Sequence, residues 1–426
     1  MKKSLKIKWV IILSLFVCSA IEATSQTNFI YGKQFGSDKD GVAYNPVIDQ
    51  YGNVYIAGKT EGVLSGRNFG KSDGFVSKFD SVGNIIWTKQ FGTSEEDGFF
   101  RLAIDQMGSL YATGYTKGVI SEKNFGKEDI MVVKFDTSGT IEWQKQYGTD
   151  STDVGNSIYV DIQGNIYVTG MTKGAMGKSS YSKADCIVLK LDNKGNMIWI
   201  NQFGTSNDDD CVGITGDAES KIYVCGYTLG DLAGKNEGIC DAFIGKFTDK
   251  GEQVKLFQFG TKELDLATGI NLDNENNIYL GGTTLIKYGG QQQGENYGFL
   301  SKLNENFEII WTQKIGINLG YYINGIAFNE QETENIVLSG CQNWPACQSF
   351  IQMYNKDGSL LWMNNFAAIG KNGGTCGKGV CVDNKGNIYH TGMTGGNLFK
   401  SIDKPEGHDI FLIKLFMDNS QINNSK

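Results

Sequence analysis

The sequence predicts an all-β fold, a seven-bladed β-propeller of four-stranded antiparallel blades, on three observations. Tyr55, Tyr111, Tyr167, Tyr223 and Tyr279 stand 56 residues apart, and Val337 and Tyr389 continue the series at 58 and 52. Each unit so marked holds four short apolar runs bounded by turn chemistry. The last unit lacks its outermost run, and the first run of the chain matches the missing one. Repeats on this scale stack as supersecondary units, and four-stranded sheets stacked in a ring form a propeller.

The elements follow in chain order. Residues 1–25 read as an export signal: Lys2, Lys3, Lys6 and Lys8 precede a short apolar run at 9–17, and Ala23-Thr24-Ser25 places small residues before the cleavage point. That run falls short of the roughly 20 residues a spanning helix requires. Cys18 stands where a bacterial lipoprotein signal carries its acylated cysteine, although Val17 is larger than the small residue expected before it. Residues 26–416 form the propeller, and a polar tail, 417–426, follows. Within the propeller, residues 29–36, "FIYGKQFG", match "IIWTKQFG", and Tyr31 precedes Tyr55 by the 24 residues that also separate Trp87 from Tyr111. This segment is expected to become the outer strand of the last blade, beside "DIFLIKLF" at 409–416, which closes the ring and hides a strand edge.

The second unit shows the grammar of a blade. Its runs are "GFFRLAID" (98–105), "SLYATGYT" (109–116), "DIMVVKFD" (129–136) and "TIEWQKQYG" (140–148), rich in β-branched and aromatic residues. The first turn is Asp-x-x-Gly, as at Asp49 to Gly52, Asp105 to Gly108, Asp161 to Gly164 and Asp383 to Gly386. There the Asp side chain bonds the turn backbone and Gly accepts a positive φ. Ser220 and Asn276 replace that Gly in two copies. The turn before the last run repeats the pattern at Asp80 to Gly83, Asp136 to Gly139 and Asp192 to Gly195. Trp87, Trp143, Trp199, Trp311 and Trp362 then fall in outermost strands, with Lys255 in that place in the fourth copy. Recurrence in register argues for indoles packed between neighbouring blades.

The phrases "D-x-x-G-N-I-Y-V-T-G-x-T", "D-x-F-V-x-K-F-D" and "G-x-x-x-W" resemble the SBBP-type bacterial β-propeller repeats over nearly all of residues 26–416. A more distant similarity joins them to the repeats of quinoprotein dehydrogenases and of outer-membrane assembly propellers. The resemblance implies an exported or cell-surface propeller, usually without known catalysis, and it names no ligand.

Composition narrows the function further. The formal net charge is −8, and loss of Lys2, Lys3, Lys6, Lys8 and Glu22 with the signal moves it to −11. Arginine is confined to Arg67 and Arg101. Such a chain lacks the basic surface that releases counterions from nucleic acid. The two histidines, His390 and His408, read as ordinary strand and loop residues, and no nucleophile elbow, phosphate loop, HExxH or EF-hand pattern is present. The expectation is an exported, monomeric, non-enzymatic binding or scaffold module at the cell envelope or outside the cell, with a protein, peptide or glycan partner and no organic cofactor. The alternative is a quinone-dependent dehydrogenase-like enzyme, although ligands for quinone and metal, and the adjacent cysteine pair of such enzymes, are not visible.

Candidate site residues cluster in the loops. Asp40, Asp97, Asp153, Asp209 and Asp265 precede or open the innermost strands, so ring closure would gather them around one mouth of the channel. Two readings stand: each Asp closes its own turn, or the ring holds a divalent cation such as calcium, or a basic partner. Loops at 60–72, 116–128 and 172–184 lie beside these turns and are expected to meet a partner. Beyond Cys18 the cysteines are Cys186, Cys211, Cys225, Cys240, Cys341, Cys347, Cys376 and Cys381. An even number in an exported chain favours disulfides and leaves the pairing open, with Cys341–Cys347 and Cys376–Cys381 the nearest candidates in sequence. Trp344, inside the loop from Cys341 to Cys347, either presents its ring to a partner or packs against a neighbouring blade.

Overall fold

The computed structural model describes residues 27–177, 183–286, 296–317, 320–329, 334–342, 347–369, 373–399 and 407–417. Residues 1–26, which include the expected export signal and Cys18, as well as Trp344 and the tail beyond Met417, lie outside the described residues. The described strands form seven antiparallel sheets, the blades of a propeller. In the second blade Asp97–Ile104, Leu110–Thr116, Asp129–Phe135 and Ile141–Tyr147 pair in chain order, and blades three to six repeat that order. The inner strand of the first blade is split into Gly41–Ala43 and Val47–Ile48, both paired with Val54–Thr60. Pro46 lies in the gap, where a residue without an N–H cannot continue the ladder.

The ring closes as the sequence predicts. Thr27–Phe35 pairs with Asp409–Met417 and becomes the outer strand of the blade built from Thr375–Val382 and Asn387–Thr394. Among the described residues no helix is long and apolar enough to cross a membrane.

The core lies between blades. Tyr55, Ala57 and Val76 of the first blade are buried in one cluster with Phe99, Leu102 and Leu110 of the second. The recurring turn residues build these interfaces. Asp105 Oδ1 accepts the N–H groups of Met107 and Ser109 at 2.9 Å each, and its Oδ2 accepts the Tyr111 hydroxyl at 3.0 Å. Lys134 sits over the Tyr111 ring and Trp143 packs beside it. The Trp143 indole N–H then donates to the Asn193 carbonyl of the next blade at 3.0 Å. Trp199 and Trp311 donate likewise to Asp249 and Lys356. A Cβ added at Gly195 would lie 3.0 Å from the Trp143 ring, so the Gly and Trp of "D-x-x-G-x-x-x-W" meet across blades. Gly83 lies in the same way against Tyr31, which takes the tryptophan's seat at the closure. Lys255 keeps the bridge in the fourth blade, donating from Nζ to the Asn306 carbonyl. Ser220 and Asn276 hold φ of 62° and 60°, so both follow the left-handed turn of the glycines they replace.

One recurring feature is absent from the sequence reading. The pairing of the inner strand skips a residue in six blades: Phe100, Asn156, Val212, Thr268, Asn324 and Lys378 each occupy a β-bulge. Bulges re-aim side chains next to functional sites.

Candidate functional site

The predicted acidic mouth is built from buried latches. Asp97, Asp153 and Asp209 start inner strands, Asp265 is second in its own, and all four are almost fully buried. Each turns Oδ2 back on the threonine four residues earlier. Asp97 accepts the Thr93 N–H at 2.6 Å and its hydroxyl at 2.8 Å, and Thr149, Thr205 and Thr261 repeat the arrangement. The other oxygen of Asp153 and of Asp265 accepts the Thr172 or Thr284 hydroxyl. Burial pushes the carboxyls of Asp97, Asp153 and Asp209 above the ordinary range. These hydrogen bonds favour the turn-closing reading, and among the described residues no group of three or more His, Cys, Asp or Glu is arranged to hold a metal ion.

Asp40 requires a correction, because it does not belong to this ring. Gly41 stands 56 residues before Asp97 and takes the latch register, while Asp40 accepts the His408 N–H at 2.7 Å. Exposed acids nearby are paired as well: Lys71 meets Glu95 at 2.8 Å, and Lys117 meets Glu96 at 2.7 Å and Glu128 at 3.4 Å.

A second acidic row escaped the sequence reading. Asp73, Asp129, Asp185 and Asp241 open the third strands and accept the side-chain amides of Gln90, Gln146, Gln202 and Gln258. Gln34 of the N-terminal strand does the same for Asp409 at 2.9 Å. The signal was legible, since that Gln recurs in "KQFG", "KQYG", "NQFG" and "FQFG". The glycine after it has a steric cause. A Cβ at Gly92 would lie 2.4 Å from Asp73 Oδ1 and 3.1 Å from Asp97 Oδ2.

The channel wall is where the blades differ. At the bulge register the chain places Phe100, Asn156, Val212, Thr268, Asn324 and Lys378, with Tyr44 in the same register of the first blade. A cavity of about 180 Å³ lies here, lined by Asn45, Arg101, Ser157, Thr268 and Asn324 among four isoleucines. Arg101 donates from Nη1 to the Phe100 carbonyl at 3.1 Å, and burial lowers its pKa. Burial raises the Tyr44 hydroxyl, against the opposing charges of Lys59, Lys378 and Arg101. Asp210, bonded by Asn156 at 2.7 Å, is pushed up to about 7 by burial. Repeats are recognised by what is constant among them, and this register varies from blade to blade.

Residues 142–175 and 198–233 match the beta-propeller repeat named SBBP, and both stretches fall within the repeated blades described above. Two stretches of the chain thus match the SBBP β-propeller repeat. The chain is similar to the regulatory protein FlaEY of Caulobacter vibrioides, at 22% identity over 348 residues, covering 70% of this chain and 36% of that protein. It therefore spans about a third of that curated relative's length. Among solved structures, the full extracellular region of plexin A4 superposes with a TM-score of 0.51 at 7% identity, over 91% of this chain and 51% of that one. A protein of unknown function from Dyadobacter fermentans superposes with a TM-score of 0.46 at 9% identity, over 92% and 99% of the two chains. At 7% identity the plexin likeness is one of fold alone.

Both histidines of the propeller are engaged within it. His408 meets Asp40 at 3.0 Å. His390 is fully buried, with Nδ1 3.0 Å from the Gly379 carbonyl and Nε2 on the Ser349 hydroxyl. Burial holds its pKa down at about 4, against the opposing pull of that carbonyl. The unfolded chain binds this proton near the ordinary 6.5, so stability is complete above that pH and falls as pH drops toward 4, by roughly 3 kcal/mol in all. His390→Val, which restores the residue of the third blade (Val168), is expected to melt with a shallower loss between pH 7 and pH 4.5 than wild type. Parallel slopes would refute the assignment.

Of the two pairs nearest in sequence, Cys341 and Cys347 lie in one cluster, whereas Cys376 and Cys381 do not. All eight described cysteines are thiols. Cys376 and Cys381 lie five residues apart on the extended strand Thr375–Val382, roughly 16 Å along it, and belong to different clusters. That pairing is therefore corrected: Cys376 instead meets Cys341.

Proposed function

We propose that this SBBP propeller is an exported, non-enzymatic binding module that receives an acidic group of a protein or peptide partner in its central channel. Export rests on the basic, apolar and small-residue order of residues 1–25. The observation that carries the binding reading is Arg101, whose guanidinium lines the channel with no carboxylate paired to it among the described residues. A desolvated guanidinium without a counter-charge is costly, and a carboxylate matching its planar fork offsets that cost. Lys59 and Lys378 add positive potential beside Tyr44, and the cavity has the size of an acidic side chain rather than of a folded domain.

The test compares wild type with Arg101→Gln in recovery of partners from the native cell envelope. A specific partner reduced about tenfold by the substitution supports the reading. Equal recovery by two folded proteins overturns it. Catalysis is outside this proposal, so pyrroloquinoline quinone with calcium is expected to change neither the melting temperature nor dye reduction. A saturable rise in melting temperature together with dye reduction would replace the binding module by a quinone-dependent dehydrogenase.

A further inference from the structure

Three thiols meet where the sixth blade packs on the seventh. Cys341 lies near the end of Asn335–Gln342, Cys347 directly precedes Gln348–Tyr354, and Cys376 is second in Thr375–Val382. All three are buried in one cluster, with Tyr322 and Met393 packed against it. The sulfurs of Cys376 and Cys341 stand 2.9 Å apart and share a hydrogen bond. The backbone fixes the approach: the Thr375 N–H donates to the Cys347 carbonyl at 2.8 Å, which ties the start of the seventh blade to the sixth. Cys341 and Cys376 are 35 residues apart in the chain, in different blades, so proximity comes from ring packing rather than from a local loop.

The surroundings give the two sulfurs different roles. The hydrogen bond shared with Cys341 and the neighbouring Lys378 ammonium lower the Cys376 thiol to about 7, although burial opposes them. Cys341, bonded to both other thiols, is pushed far up and keeps its proton. A thiolate beside a protonated thiol is the arrangement that attacks a disulfide and is then resolved.

We propose that Cys341 and Cys376 form a disulfide that staples the sixth blade to the seventh, with Cys347 left as a free thiol. The oxidant is a low-molecular-weight disulfide, RSSR. The Cys376 thiolate attacks one sulfur of RSSR, forming a Cys376–SR mixed disulfide and releasing RS⁻. The Cys341 thiol gives its proton to RS⁻ or solvent, and its sulfur displaces the second RS⁻ from Cys376. Two protein thiols are oxidised, and one RSSR becomes two RSH. The staple sits in the blade that the N-terminal strand completes, so it reinforces the border next to the ring closure. It is independent of what the channel binds.

The full protein, incubated with oxidised glutathione, alkylated without reductant and digested, is expected to yield a Cys341–Cys376 cross-linked peptide by mass spectrometry, with Cys347 and Cys381 alkylated. A Cys341–Cys347 or Cys376–Cys381 cross-link, or none involving Cys341, overturns the proposal. A second measurement guards against a variant that simply folds poorly. After the same oxidation Cys376→Ser is expected to melt about 5 °C below Cys381→Ser, as loss of a closed loop of this length implies, and the gap should close when both are reduced. Equal melting of the two oxidised variants, or a gap that persists on reduction, counts against the staple.

Discussion

Deleting residues 27–35 is expected to lower the melting temperature by more than about 10 °C and to drive the protein into aggregates. The segment supplies the whole outer ladder of the last blade, from the pairing of Thr27 with Met417 to that of Phe35 with Ile410. Without it the strand Asp409–Met417 becomes an edge whose Ile410, Leu412, Ile413 and Leu415 are otherwise fully buried. Side-chain locks disappear as well. Gln34 donates to Asp409 and to the Gly396 carbonyl at 3.1 Å and accepts the Leu398 N–H at 2.9 Å. Tyr31 leaves the seat against Gly83, which uncouples the last blade from the first. Tyr31→Ala isolates that last contribution and is expected to cost about 2–4 kcal/mol, as other large-to-small core changes do. Thermal melts with size-exclusion profiles decide the matter. A truncated protein that melts and elutes like wild type would show that the ring does not depend on this closure.

That closure was legible because every unit uses one register, so a missing strand in one copy points to its match elsewhere. The same property explains the turns and the tryptophans: Gly195 and Trp143 come together because neighbouring blades write both residues in one register and pack on each other. Register was also the remedy where the reading failed. Asp40 resembles Asp97 in charge only, because the residue 56 positions before Asp97 is Gly41. Cys381 is nearer to Cys376 in sequence, but contact in a propeller runs between neighbouring units and brings Cys341 close instead. The channel was the least legible part. Its character depends on Arg101 and on bulge residues that differ from blade to blade, and repeat matching discards differences.

A trace of the bulges was nevertheless present, in the glycine that ends "YVTG" inside a strand, and Gly170→Ala tests what it does. A glycine within a strand often marks a bulge or a close backbone approach. Gly170 pairs with Gly155 immediately before the register skips Asn156. A Cβ there would lie 1.9 Å from the Val154 carbonyl oxygen and 3.0 Å from the Asn156 nitrogen, and neither backbone atom can swing aside as a side chain can. The same clash recurs at Gly114, Gly226 and Gly340, at 1.9, 1.8 and 1.8 Å from the inner-strand carbonyl. Accommodation requires the inner strand to move, and Asn156 carries the displacement onward because it donates to Asp210 and, at 3.0 Å, to the Cys211 carbonyl of the next blade. Gly170→Ala is therefore expected to destabilise by roughly 3–5 kcal/mol. Gly164→Ala, at a turn with φ of +80° and open space around it, carries only the backbone strain of about 1 kcal/mol. The contrast separates a packed carbonyl from a strained turn. Comparable small losses in both variants would mean that the inner strand yields freely, and that the channel wall is not held by the glycine behind it.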